Sequence, residues 1–217
     1  MGYVVTVQNQ KGGAHKTTVI TNLAYEAARQ GNKVLLIDTD ITQRSASLWV
    51  SNGEVKTNIE LICMDEGIDK AIKALKPQYD FLFIDGVPRT GKLTAQAIKS
   101  ADLVIIPVQP SPYDLWGSER MVELVRERQE LTNGQPLACF LRSGCKIGGV
   151  MTGETIKVLE EMEIPMLKSF LGHRQDFVTS ALGEGVSGAD PDKSKASFEI
   201  RQAFKEIMQL LTEKVAS

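Results

Sequence analysis

The stretch Gln8–Thr18, QNQKGGAHKTT, concentrates residue types that handle phosphate. Gly12 and Gly13 leave the backbone bare, so its N–H groups can turn onto phosphate oxygens. Lys16 brings a positive charge, and Thr17 a hydroxyl of the kind that ligates Mg²⁺. A helix opening at Thr17 directs its positive end at the same place. Asp38 closes the run KVLLID, with Asp40 two residues on, and Asp85 closes the run DFLFID. Together these residues describe a site for a phosphorylated ligand and a divalent cation.

One residue breaks the pattern. His15 stands directly before Lys16, where such loops carry glycine. Backbone crowded against phosphate there often takes a positive φ, and a side chain in that conformation costs roughly 1–3 kcal/mol. Histidine tolerates the left-handed region better than most residues. Three outcomes stand open: binding retained with altered chemistry at the site, near-normal behaviour, or a loop that no longer binds. The imidazole is expected to crowd the terminal phosphate or to donate a hydrogen bond to it.

These residues need a scaffold, and alternating strand and helix patterns supply one. Tyr3–Gln8, Lys33–Asp38, IELICM, Asp80–Asp85, Leu103–Val108, PLACFL and IPMLKSFL read as strands. Between them lie helical patterns: TTVITNLAYEAARQ with Gly31 at its C-cap position, a short one near Ser45–Trp49, GIDKAIKAL, TAQAIKSA, YDLWGSERMVELVRERQEL and TGETIKVLEEM. SFEIRQAFKEIMQLLTEKV closes the chain as a helix, and Gly183–Lys195 reads as a loop before it. Strands apolar throughout, each followed by a helix, imply an α/β fold: a mostly parallel, twisted sheet with helices on both faces. Ligands in such sheets sit at the carboxyl ends of the strands. That is where Lys11–Thr18, Asp38, Asp40, Asp85 and Pro107–Pro112 fall.

Composition narrows the function classes. The chain has 217 residues, 42% hydrophobic and 24% charged, which suits one globular domain over 1–217. No N-terminal DNA-reading domain is expected before the loop. A net charge of −2 excludes a global basic footprint, though not a local basic patch. Cys63, Cys139 and Cys145 form no disulfide framework, and the spacing of the last two matches no common zinc motif. They are expected to be reduced and mostly buried. No targeting segment is evident, and no apolar run approaches the ~20 residues of a membrane span. A cytoplasmic protein is expected.

KGGAHKTT resembles the deviant phosphate loop of the ParA/MinD family, K-G-G-x-G-K-[ST]-T, and Lys11 matches its early lysine. LLIDTDITQRSASLW is similar to the family's first switch segment, although Ile41 and Thr42 replace its usual Pro-Gln. YDFLFIDGVP resembles its Walker B segment, and LVIIPVQPSPYDLWG its proline-rich turn. HRQDFVTSALGEGVSG is similar to a segment of small plasmid-partition members such as ParF. The resemblance covers most of the chain in order and implies a P-loop NTPase fold with ATP/ADP and Mg²⁺ as ligands. It implies that Gly12, Gly13, Ala14, His15, Lys16, Thr17 and Thr18 hold the nucleotide, with Lys16 on the β- and γ-phosphates. Thr17 would hold Mg²⁺, with Asp38 and Asp85 acting through water. Asp40 would position the attacking water, and Lys11 would reach the partner subunit's ATP across a sandwich dimer. Pro110 and Pro112 would border adenine, or form no more than a rigid turn.

Branches of the family differ in accessory residues. Cluster-carrying members need paired cysteines near the dimer axis, and none follows Asp85 closely. Membrane-docking members need a terminal helix with a basic face, whereas the charges of the last helix are mixed, so no membrane partner is expected. The expected function is a ParA-type ATPase for plasmid partition, cycling between an ATP-bound dimer and an ADP-bound monomer. Positioning a protein cargo is the alternative, and a nucleotide-gated scaffold disabled by His15 is another. The family resemblance implies nucleoid association through nonspecific DNA binding, with Arg142, Lys146, Arg174, Lys193, Lys195, Arg201 and Lys205 as candidate contacts. A ParB-like or centromere-binding partner would stimulate hydrolysis.

Overall fold

The computed structural model describes residues 2–42, 45–52, 59–88, 91–109, 112–146 and 153–213. Its strands are β1 (Tyr3–Val7), β2 (Val34–Asp38), β3 (Ile59–Cys63), β4 (Phe81–Asp85), β5 (Leu103–Val108), β6 (Leu137–Cys145) and β7 (Met166–Gly172). Its helices are α1 (Lys16–Arg29), α2 (Ser45–Asn52), α3 (Ile68–Leu75), α4 (Lys92–Ser100), α5 (Pro112–Glu130), α6 (Gly153–Glu161), α7 (Gln175–Thr179) and α8 (Lys195–Glu213). The strands form one seven-stranded sheet in the order β3-β2-β4-β1-β5-β6-β7. Every recorded pairing is parallel. The chain winds to one side from β1 to β3, returns through β4, and proceeds to the other side from β5. The loop after β1 lies at that reversal, the crevice where open α/β sheets bind ligands.

Strand alternation explains why the central strands are apolar at nearly every position. Val5, Val7, Leu36, Phe83 and Ile105 pack on one face with Val19 and Leu23 of α1 and Ile200, Phe204 and Ile207 of α8. Val4, Leu35, Ile37, Leu82 and Ile84 point to the other face, against Ile68 and Ile72 of α3 and Ala97 of α4. Val104, Ile106 and Phe140 meet Val122 and Val125 of α5 and Leu159 of α6 there. Both faces are covered, so both must be hydrophobic.

Three sequence readings change. β6 runs past its apolar stretch through Arg142, Ser143 and Gly144 to Cys145, because β7 pairs with it as far as Gly172. The segment Gly183–Lys195 is not a plain linker. Its Val186 and Ser187 are buried, and the Val186 N–H donates to the Asn22 side chain of α1 at 2.8 Å. In α8, Glu199, one of the mixed charges of the last helix, belongs to the interior: it accepts from Arg174 and from the Gly172 N–H at 2.9 Å. Phe198, by contrast, is exposed. Cys139 and Cys145 are buried, while Cys63 is exposed.

Gly86, directly after β4, marks the closest backbone approach near the site. A Cβ there would lie 2.4 Å from the Val7 carbonyl oxygen and 2.4 Å from Gln8 Oε1. The carbonyl belongs to the sheet and has nowhere to go. Gly86→Ala is expected to lower stability by about 2–3 kcal/mol, read as a lower urea midpoint at unchanged slope. A variant as stable as the parent would mean that β1 and β4 part more easily than their pairing implies.

Candidate nucleotide site

The loop after β1 is fastened to the neighbouring strand ends before it turns into α1. Asn9 donates from Nδ2 to the Pro107 carbonyl at 2.8 Å, and its Oδ1 accepts the Lys11 N–H at 2.9 Å. Gln109 Nε2 donates to the Gly13 carbonyl at 3.0 Å. Gly13 has φ 75° and His15 φ 61°, so the strained backbone expected at His15 is present. The first helical bond of α1 runs from the Val19 N–H to the His15 carbonyl at 2.9 Å. His15 stands at the N-cap, and its side chain makes no capping hydrogen bond to the helix. The first-turn N–H groups have no intrahelical partner and border the cavity described next, an arrangement suited to an anion.

That cavity, about 290 Å³, is lined by Gly12 to Thr18, Asp40, Ser45, Asp85, Gly86 and Pro88. The structure therefore gathers most of the expected site residues. Lys16 is buried and donates from Nζ to the Lys11 carbonyl at 3.0 Å. Burial lowers its pKa from the usual ammonium value, against the pull of Asp85 and Asp40. The Thr17 hydroxyl donates to Asp85 Oδ2 at 2.8 Å. Asp85 Oδ1 is buried with no hydrogen-bond partner. Burial first, and then the nearby charges of Asp38 and Asp40, push the Asp85 carboxyl up to about 7. Lys16 and the Thr17 hydroxyl pull the other way. An orphaned buried carboxylate oxygen beside a threonine hydroxyl is a donor set that fits Mg²⁺. The cation would offset the burial cost that now favours the proton.

Asp38 plays a different part from Asp85. It is buried, but it is not among the residues lining the cavity. Its Oδ1 accepts the Asp40 N–H at 3.0 Å, and its Oδ2 accepts the Ser47 N–H at 2.9 Å and hydroxyl at 2.8 Å. Asp38 thus ties the end of β2 to the first turn of α2 and holds the stretch bearing Asp40. Of the two carboxylates expected at the metal, Asp85 is the one that faces the cavity. Asp40 sits at its rim, half-buried, and the Lys11 side chain is exposed.

A second cavity of about 180 Å³ adjoins the first, and the two share His15 and Thr18. It opens between the carboxyl ends of β6 and β7, with Leu171, Phe177, Val178 and Ala181 as apolar walls and Ser143, Gly144 and Arg174 at its edge. An apolar slot beside a phosphate cradle is suited to a flat base. The imidazole of His15 turns toward it. Nδ1 lies 3.4 Å from Ser143 Oγ, and a Cβ on Gly144 would fall 2.4 Å from His15 Cε1. The ring thus rests in the space that Gly144 leaves empty.

The sequence reading missed this slot. Its proposed base neighbours were Pro110 and Pro112. Pro110 lies outside the described residues, and Pro112 opens α5. The basic candidates also divide. Arg174 is paired with Glu199, Arg142 donates to the Lys168 carbonyl at 2.8 Å, and Arg201 donates to the Ser187 carbonyl at 2.7 Å. Lys146, Lys193, Lys195 and Lys205 are exposed. His173 is exposed just before α7.

The profile of a family described as an AAA domain matches residues 2–66 and 52–136, more than half of the chain. The maintenance of carboxysome distribution protein A of Halothiobacillus neapolitanus is 28% identical over 219 residues, spanning 99% of this chain and 97% of its own. Protein ParA of Rhizobium radiobacter is 33% identical over 129 residues, 58% of each chain. The chain belongs to the ParA/MinD family. The fold agrees: the septum site-determining protein MinD of Pyrococcus horikoshii, solved with Mg-ADP, superposes with a TM-score of 0.78 over 97% of both chains at 19% identity. Within this family, a relative matched nearly end to end is a carboxysome distribution protein. The ParF-like likeness drawn from the C-terminal segment therefore gives way to a broader one, to ParA-type positioning ATPases. Among the described residues, no helix is long and apolar enough to cross a membrane.

Proposed function

We propose that this chain is a Mg²⁺-dependent ATPase that positions a protein cargo over the nucleoid. It cycles between an ATP-bound dimer and an ADP-bound monomer. The near end-to-end match to a carboxysome distribution protein supports the cargo, and the cavity around Lys16, Thr17 and Asp85 supports the chemistry. Mg²⁺ supplies charge neutralisation on the phosphates. Lys16 moves from the Lys11 carbonyl to the phosphate oxygens, and the α1 N-terminus adds its dipole. Asp40 orients the attacking water at the rim. The exposed Lys11 reaches the nucleotide of a second copy, so turnover requires the dimer. Exposed lysines, Lys146, Lys193, Lys195 and Lys205 among them, contact DNA phosphates without reading sequence. A partner protein stimulates hydrolysis. Partition of a plasmid is the second reading, favoured by the match to ParA.

The test is ATP turnover by the chain and by Asp40→Ala, with and without DNA. Asp40→Ala is expected to lower turnover at least about 100-fold while ATP affinity changes less than about threefold. ATP-dependent retention on DNA is expected to vanish as salt rises from 50 to 200 mM, as phosphate contacts do. Equal turnover in both proteins would remove Asp40 from the chemistry. ATP binding with no turnover in the unaltered chain would leave a nucleotide-gated scaffold.

A further inference from the structure

The position that departs from the family pattern, His15, is also one of the two residues shared by the two cavities. Its ring rests against Gly144 and Ser143 at the mouth of the apolar slot. That berth exists only because residue 144 has no side chain: a Cβ there would fall 2.4 Å from Cε1 and 3.0 Å from Nδ1. The left-handed backbone at His15, φ 61° and ψ 21°, aims the ring this way. A ligand confined to the phosphate cavity meets the Gly12–Thr18 backbone, Lys16 and Thr17, and leaves the ring where it is. A ligand that runs on from that cavity into the slot must pass His15.

We propose that His15 is a gate between the phosphate cradle and the base slot, one that admits polyphosphate freely and a nucleotide only after its ring has left Gly144. The gate rests on the nucleotide reading above. Its consequence is a conformational penalty on nucleotide affinity alone: apparent affinity is reduced by the fraction of molecules whose ring is already displaced. An open fraction of about one in ten weakens ATP and ADP about tenfold and leaves a bare triphosphate unaffected. Gly144 belongs to the same device, because it sets where the closed ring rests. Ser143, at 3.4 Å from Nδ1, holds the closed position.

The experiment is calorimetry with Mg·ATP and with Mg²⁺ and inorganic tripolyphosphate, on the unaltered chain, His15→Gly and His15→Ala. Glycine removes both ring and backbone strain; alanine removes the ring and keeps most of the strain. Both variants are expected to bind ATP about tenfold more tightly and tripolyphosphate within about twofold of the parent. Equal gains for the two ligands would place the effect in the cradle backbone and overturn the gate. So would a gain seen in His15→Gly but not in His15→Ala, which would assign it to strain. Tripolyphosphate binding with no ATP binding in any of the three proteins would overturn the nucleotide reading and the gate with it. A thermal melt of each variant checks that it is folded.

Discussion

Lys16→Ala is expected to weaken ATP binding about 100-fold while leaving the fold intact. Without a ligand, Lys16 rests on the protein's own backbone. It is buried, and its ammonium has found a backbone carbonyl, Lys11 O, at 3.0 Å rather than a carboxylate. A buried cation resting on a neutral acceptor is under-compensated, and burial lowers its pKa accordingly. Phosphate oxygens offer it what the carbonyl does not. Charge-assisted hydrogen bonds to a buried charge contribute about 1.5–3 kcal/mol, which the logarithmic relation between energy and affinity turns into roughly 10- to 150-fold.

Stability responds differently. Alanine abandons one hydrogen bond to an exposed loop residue and removes the burial cost of an ammonium, so the change is expected to stay within about 1 kcal/mol. Calorimetry with Mg·ATP, paired with a thermal melt, separates the two effects. Unchanged affinity would mean that the phosphates lie elsewhere. A collapse of the melting temperature would mean that Lys16 holds the loop together and that its charge is not reserved for a ligand.

The same residues show what a linear reading can reach. The loop was legible because glycines, lysine and threonine stand side by side, and the strands because apolar runs ending in Asp38 and Asp85 are local signals. The positive φ at His15 followed from its place in the motif. What the linear reading lost depends on distance along the chain. His15 meets Ser143 across 128 positions, and Asn9 fastens to Pro107 across 98. No spacing pattern encodes either contact. The end of β6 was missed because RSGC breaks the apolar run, and the strand continues only where β7 supplies its partners. Asp38 was identified as important on its position, but its bonds to Asp40 and Ser47 give it the work of shaping the segment rather than facing the cavity. Glu199 looked like one charge among many on a helix, and only the placement of Arg174 and Gly172 makes it interior.

Asp85→Asn is expected to make the protein more stable and less active, and pH distinguishes the causes. The Asp85 carboxyl is raised from 3.8 to about 7, chiefly by burial. In the unfolded chain the group ionises near 3.8, while in the folded chain it keeps its proton until about 7. Across that window the unfolded state gains from ionisation and the folded state does not, so this group's contribution to stability is full below pH 4 and is lost as pH approaches 7. Asparagine cannot ionise in either state and escapes the loss. Its carbonyl still accepts from Thr17, although its amide N–H groups inherit the place of the partnerless Oδ1. The net gain is expected to be about 1–3 kcal/mol at pH 8 and to shrink to nothing near pH 4, as measured by urea unfolding at each pH. A gain independent of pH would point to packing instead of charge. Mg²⁺ with ADP supplies the second arm. A cation beside Oδ1 stabilises the ionised carboxylate, so Mg·ADP is expected to raise the parent's melting temperature at pH 8 by more than ADP with a chelator does. In Asp85→Asn that Mg²⁺-dependent increment should largely disappear while the increment from ADP alone remains. An equal Mg²⁺ increment in both proteins would remove Asp85 from the metal site and leave its buried oxygen without a function.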